Sequence, residues 1–368
     1  MAVVQISRIQ VRRGQKNAGS GLPQLASGEL GWAVDTRELY IGNGAVSEGA
    51  PAVGNTKILT EFDNIFSLTE AYTYRTDDAY IVTGGDVSTP IVRSLQARLD
   101  DTVSGRSFGL TGQTSQIATA KLQTAIDQLY LNSATKGSAQ SKIVLHLEAG
   151  EYIVDDTIYI PPYATIVGAG SGKTIIRTST ASTTIFKTVN SNSTPGAPAT
   201  DASTTSVNQA TDIRLEGVTL ETTVPNKGLI LENCKDSMFR DVEVTGPWVS
   251  GNAVALTDVG IEMNSLSGTV ETKNNIFENC KVSGYSYGIS SDWDIHNNMW
   301  DNCSFPRYSY GFAFGTTLNT LNSLAGSGQE KGPYNNTISN SRFDDINRHA
   351  IWSKFGTLNS SSNNSYVK

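Results

Sequence analysis

Acidic, aromatic and imidazole groups crowd into one short run, Ser291-Asp292-Trp293-Asp294-Ile295-His296. Hydrolysis of a glycosidic bond uses two carboxyl groups flanking the sugar, roughly 5–9.5 Å apart. In extended backbone Asp292 and Asp294 project from one face, with Trp293 beside them as an aromatic platform. They are the candidate catalytic pair; a solvated turn with an exposed Trp is the alternative reading of the same run. Asp344-Asp345 is a second acidic pair, read as a polar turn after an inward Phe343. No Arg or Lys clusters beside these acids as lyase chemistry would prefer, so enzymatic activity stays open and no catalytic residue is assigned. His146, His296 and His349 are widely separated, which supports no metal site. Gly168 and Gly172-Lys173-Thr174 imitate a phosphate loop, but the spacing is one residue short and a strand is expected to follow, so no cofactor is expected.

Four tyrosines form a separate constellation. Tyr285 and Tyr287, in Gly284-Tyr285-Ser286-Tyr287-Gly288, match Tyr308 and Tyr310, in Arg307-Tyr308-Ser309-Tyr310-Gly311. Tyrosine joins an apolar body to a polar tip and suits both sugar stacking and subunit packing. Together with Trp293 these are candidate glycan or trimer contacts.

The elements that would position these groups follow from repetition. Leu215, Phe239, Phe277, Trp300 and Ile338, with Tyr366 as a further candidate, recur at intervals of 24, 38, 23, 38 and 28 residues. Five positions on stand Leu220, Val244, Val282, Phe305 and Phe343, and between these strands stand Gly228-Leu229, Gly260-Ile261, Gly288-Ile289, Gly311-Phe312 and Ala350-Ile351. One solenoid coil of about 23 residues, with occasional insertions of about 15, accounts for all of these intervals. Stacked coils pair their backbones at about 4.8 Å and bury alternate side chains, so Phe277 and Trp300 should lie one over the other. Asn279, Asn302 and Asn340, with Asp241 in the same place, suit a turn between strands, where stacked amides can bond along the axis. Cys280 and Cys303 fall on adjacent coils of one inward ladder and read as buried core thiols, with a disulfide between them as the alternative. A helix capped by Thr114 or Ser115 places Leu122, Ala125, Ile126, Leu129 and Tyr130 on one face and suits a lid over the first coil.

Composition agrees with a mainly β, turn-rich chain: 38% of the 368 residues are hydrophobic, 17% are charged and 34 are glycine. A net charge of −7 provides no basic surface, so no nucleic-acid partner is expected. No apolar run is long enough to span a bilayer, and the first residues lack the apolar core of a signal peptide, so a membrane partner is not expected and folding is expected in a cytoplasm.

The first 60 residues alternate in β fashion to a turn at Arg13-Gly14, then form strands over 30–34 and 38–41 closed by Asn43-Gly44. The order Arg12-Arg13-Gly14, Gly28-Glu29-Leu30, Asp35-Thr36 and Ile41-Gly42-Asn43-Gly44 resembles the small N-terminal module of phage tail fibres and tropism-determinant proteins, with Asn43 in place of the usual Asp. Arg93-Ser94-Leu95-Gln96-Ala97-Arg98-Leu99-Asp100-Asp101-Thr102-Val103-Ser104 is similar to the segment that precedes the β-helix in many phage tailspikes; Ser107–Gly112 keeps that family's Phe-Gly and second Gly and lacks its acids. Ala149-Gly150-Glu151-Tyr152, Ile160-Pro161 and Gly168–Ile176 resemble the first turns of the pectate-lyase-like superfamily. These resemblances imply a virion attachment module over 1–60, a connector over 61–110 and a single-stranded right-handed parallel β-helix over 111–368. The stripe of Val92, Leu95 and Leu99 suits a short helix in the connector, packed between copies or on its own domain, and the repeat still running at Asn363–Lys368 leads to the expectation of a chain that continues beyond residue 368. The resemblances further imply a homotrimeric tailspike, tail fibre or baseplate component of the virion, docked through residues 1–60 to other tail proteins and facing host surface polysaccharide; the alternative is a depolymerase of the same architecture.

Overall fold

The computed structural model describes residues 11–17, 24–48, 54–63, 72–73, 92–93, 102–131, 143–199, 203–265, 270–291, 295–314, 333–353 and 359–367. Two compact units divide the chain, Met1–Asp100 and Asp101–Lys368.

In the first unit, strands Arg12–Gly14, Leu30–Ala33, Glu38–Gly42 and Asn55–Ile58 form one sheet in that order. The first pair is parallel and the others antiparallel. The hairpin expected from 30–34 and 38–41 is present, but Arg13-Gly14 lies within a strand and the bend follows it at Lys16-Asn17. Asp35 accepts the amides of Lys16 (2.9 Å) and Asn17 (2.8 Å), which ties that bend to the hairpin turn. Gly42 is obligatory, since a Cβ there would stand 2.0 Å from the Ala26 carbonyl oxygen. Val92–Arg93 pairs antiparallel with Tyr72–Thr73, so Val92 is strand and not helix; Leu95 and Leu99 lie outside the described residues.

The second unit is a right-handed parallel β-helix. One face stacks Thr102–Ser104, Val144–Leu147, Thr165–Gly168, Arg214–Glu216, Met238–Arg240, Ile276–Glu278, Met299–Asp301, Thr337–Ser339 and Ser360–Ser362, each parallel to the next. A second sheet covers the other two faces, and its strands Ser304–Phe314 and Arg342–Ser353 run without a break across the corner between them. The register is the one the repeats required: Leu215, Phe239, Phe277, Trp300 and Ile338 pair in succession. Phe239–Phe277 and Phe277–Trp300 stack at 4.8 and 5.4 Å, their ring planes nearly parallel. Leu229, Ile261, Ile289, Phe312 and Ile351 pair likewise. Tyr366 is a correction, because the partner of Ile338 is Ser361 while Tyr366 pairs with Phe343 on the other ladder. The final coil carries no insertion, so the interval to its first-face strand is one plain coil.

Polar side chains turn the corners. Asp241, Asn279, Asn302, Asn340 and Asn363 all adopt left-handed φ between 50° and 54°, a conformation Asn and Asp tolerate far better than branched residues. A second series before the same face, Asp212, Asp236, Asn274, Asn297 and Asn335, is left-handed too, at φ between 52° and 56°. Immediately after it runs a buried amide ladder. Asn275 Nδ2 donates to Asn298 Oδ1 (2.9 Å), Asn298 to Asn336 (3.1 Å) and Asn336 to Asn359 (3.0 Å).

The helix Thr119–Tyr130 buries Leu122, Ala125, Ile126, Leu129 and Tyr130 in the same core as the coils. Its N-cap is Ala118, without a side-chain cap, and neither Thr114 nor Ser115 serves. The first turn is instead anchored to a coil, the Ala118 amide donating to the Ile153 carbonyl at 2.7 Å.

Candidate functional site

The four tyrosines separate into two pairs. Tyr285 and Tyr308 are wholly buried, each at 0% exposure. The Tyr285 hydroxyl lies 3.0 Å from both Thr222 Oγ1 and the Thr245 carbonyl. Both rings are core, leaving no surface for a glycan or a neighbouring chain, which corrects their reading as contacts. The reason is local: Gly284, at φ 72°, turns the corner so that the next side chain points inward, and a Cβ there would meet the Gly246 carbonyl at 2.0 Å.

Tyr287 and Tyr310 are half-buried and stack at 5.0 Å with ring planes 9° apart. Three further groups gather on Tyr310. Arg348 Nη1 donates to its hydroxyl at 2.9 Å, and the guanidinium stands 5.6 Å from the ring centroid. His349 lies at 5.6 Å and Trp352 at 6.0 Å, ring centre to ring centre. Arg348 and His349 are exposed and Trp352 half-buried. Burial raises the pKa of the Tyr287 hydroxyl, Tyr310 adds to that, and Arg348 opposes it. The cluster offers aromatic faces, a fixed cation and a phenol, groups suited to stacking on a sugar and binding a carboxylate. Arg348, His349 and Trp352 escaped the sequence reading. They lie on the coil after the two Tyr-Ser-Tyr runs, where the register slips by one residue between Tyr308/Ile346 and Tyr310/His349 and hides the equivalence.

Asp292, Trp293 and Asp294 lie outside the described residues. Asp344 and Asp345 do not form a free pair: Arg342 Nε donates to Asp344 Oδ2 at 2.5 Å, and Asp345 takes a left-handed φ of 50° within the strand. The three histidines sit on different strands. His296 is buried, stacked on Tyr334 at 4.6 Å with Nε2 3.6 Å from Glu271 Oε2, whereas His146 lies in a first-face strand. Cys234, Cys280 and Cys303 are free and buried. Burial pushes the Cys234 thiol up to about 12, and hydrogen bonding to Cys280 followed by burial raises that of Cys303, so neither is a nucleophile at neutral pH.

A cleft of about 170 Å³ opens between the lid helix and segment 189–198, with Gln123, Asp127, Asp156 and Tyr159 in its lining. Asp127 holds the cleft together: its Oδ1 accepts from Gln123 Nε2 (2.8 Å) and its Oδ2 from the Gly196 amide (3.1 Å). In the first unit Glu38 plays a comparable part. It accepts from Lys16 Nζ, Lys57 Nζ and Tyr40 at 2.7 Å and from Thr36 at 2.8 Å. Against burial, which raises it, these bonds hold its carboxyl far below the ordinary range.

Residues 102–348 match the family model described as rhamnogalacturonase A/epimerase, pectate lyase-like. Among curated proteins none matches the sequence. Of solved structures, ORF18 of Geobacillus virus E2 resembles the chain with a TM-score of 0.56 at 15% identity, over 96% of this chain and 60% of that one. The N-terminal fragment of bacteriophage phi29 gene product 12 gives 0.46 at 16% identity, over 72% and 43%. Tailspike protein 3 of bacteriophage CBA120 gives 0.47 at 14% identity, over 92% and 57%. The chain thus spans about half the length of these structures, and at such identities the likeness is one of fold.

Proposed function

The chain belongs to the rhamnogalacturonase A/epimerase, pectate-lyase-like family, and we propose that it is a structural component of a bacteriophage tail that adsorbs the particle to host surface polysaccharide. Residues 1–60 attach to other tail proteins, 61–110 connect, and three copies project their β-helices together. One observation carries this reading: a single chain joins the folded Arg12-Arg13-Gly14 … Gly42-Asn43-Gly44 sheet to an uninterrupted β-helix. The motif residues have structural duties there. Gly14 accepts from the Val34 amide (2.9 Å), Gly28 donates to Gly42 (3.0 Å), and Asn43 takes the place of the usual acid by accepting from the Thr56 hydroxyl. The viral ORF18 structure, whose likeness reaches across 96% of the chain, supports the same reading. Parallel backbone ladders on every face suit a stiff projecting element.

Antibody against the purified protein is expected to decorate the tails of the source virions, and sedimentation should report three times 39.4 kDa. Decoration of no virion part would reject the assignment. The family's description favours one second reading, a polysaccharide depolymerase. Incubation with surface polysaccharides is expected to release neither reducing ends nor unsaturated sugars. Release that disappears in Asp292→Asn or Asp294→Asn would establish the enzyme instead.

A further inference from the structure

The geometry points to a subsite for a carboxylate-bearing sugar, built from Arg348, Tyr310, Tyr287 and Trp352 on the β-helix surface. It rests on the adsorption reading above and adds the chemical class of the glycan. Three observations carry it. Opposite Tyr308–Tyr310 the following coil spends one extra residue, since Tyr308 pairs with Ile346 but Tyr310 with His349. A bulge of this kind re-aims side chains, and here Arg348 is the one that reaches back to the coil before it, its Nη1 2.9 Å from the Tyr310 hydroxyl. That bond uses the phenol as acceptor and leaves its O–H to donate.

The second observation is charge. Arg177, Arg214, Arg240 and Arg342 each meet a carboxylate. Arg348 meets none among the described residues, and Asp344, on the same strand, is paired with Arg342. An exposed guanidinium held by a neutral phenol, on a chain of net charge −7, is open to an external anion. The third is the aromatic surface: the Tyr287 and Tyr310 rings are stacked on each other, and half-buried Trp352, 6.0 Å from Tyr310, is the ring that would meet the C–H side of a pyranose as Arg348 takes its carboxylate. Uronic and sialic acids combine those two features, whereas neutral hexoses offer only one.

Fluorescence titration of the full chain with polygalacturonate, polysialic acid and dextran tests this, with each protein also sedimented. An acidic polymer is expected to bind and dextran not to. Arg348→Ala should weaken binding roughly tenfold to a hundredfold, and Arg348→Lys should retain part of it by keeping the charge without the fork. Tyr310→Phe, which frees the guanidinium but keeps the ring, should fall between. Unchanged acidic-polymer binding in Arg348→Ala, binding of dextran alone, or binding of none of the three overturns the subsite and leaves the tail assignment to the virion labelling. Loss of oligomer mass in Arg348→Ala overturns it too, identifying the cluster as a contact between copies.

Discussion

Asn298 shows how much a single amide can hold. It is 1% exposed, donates to Asn336 and accepts from both the side chain and the backbone of Asn275. Replacing it with alanine leaves the buried Asn275 amide without its acceptor, while Asn336 Oδ1 keeps the Asn298 backbone amide; an unmatched buried group costs about 1–3 kcal/mol. Asn298→Ala should lower the urea midpoint accordingly, and an unchanged midpoint would mean the ladder contributes nothing. Asp258 acts through charge. It is buried, accepts from the Ser286 amide (2.9 Å) and hydroxyl (2.8 Å), and burial raises its carboxyl above the ordinary value against those bonds. A raised folded pKa gives stability that is full below about pH 4, the unfolded value, and lost as pH climbs through the folded one. Asp258→Asn, which keeps an acceptor, should therefore raise the midpoint at neutral pH, with the gain vanishing below about pH 4. At this scale the sequence was readable only in part. Recurrence exposed Asn279, Asn302 and Asn340 because they follow the aromatic ladder at fixed distance. Asn275, Asn298 and Asn336 recur as regularly, yet an Asn next to a strand reads as a turn residue, and hydropathy carries no mark of a satisfied buried amide.

Elements were legible where periodicity is strict. The hairpin at 30–34 and 38–41 and the apolar stripe of the lid helix follow from alternation of two and 3.6 residues. What escaped was anything decided by docking. The helix begins where Ala118 can donate to Ile153, a choice made by the coil and not by a Ser or Thr at the helix start. Tyr366 was expected on the wrong ladder because nothing local announces whether a coil carries an insertion. The lid is expected to matter energetically: Leu122 is 0% exposed, and Leu122→Ala should cost about 2–5 kcal/mol through lost contacts and a cavity, read as a fall in the thermal midpoint of the β-helix. Gly42→Ala should act on the other unit alone. Its Cβ would lie 2.0 Å from a carbonyl oxygen, so amide exchange should quicken across Leu30–Gly42 and stay unchanged over the coils.

At the scale of the molecule, the β-helix core is one continuous cluster from Leu110 to Phe343. Several ladders in phase made this architecture readable without coordinates, since a shared period is hard to satisfy any other way. The surface was not readable to the same degree: a one-residue slip in register assembled Arg348, His349 and Trp352 around Tyr310. The same regularity bears on how such a protein can change. Asn275, Asn298, Asn336 and Asn359 meet through identical bonds whether or not an insertion intervenes. Duplicating one segment would therefore move everything beyond it outward by about 4.8 Å while leaving existing rungs intact. Reach can then be tuned by gene duplication in fixed increments, independently of whatever the surface has learned to grip.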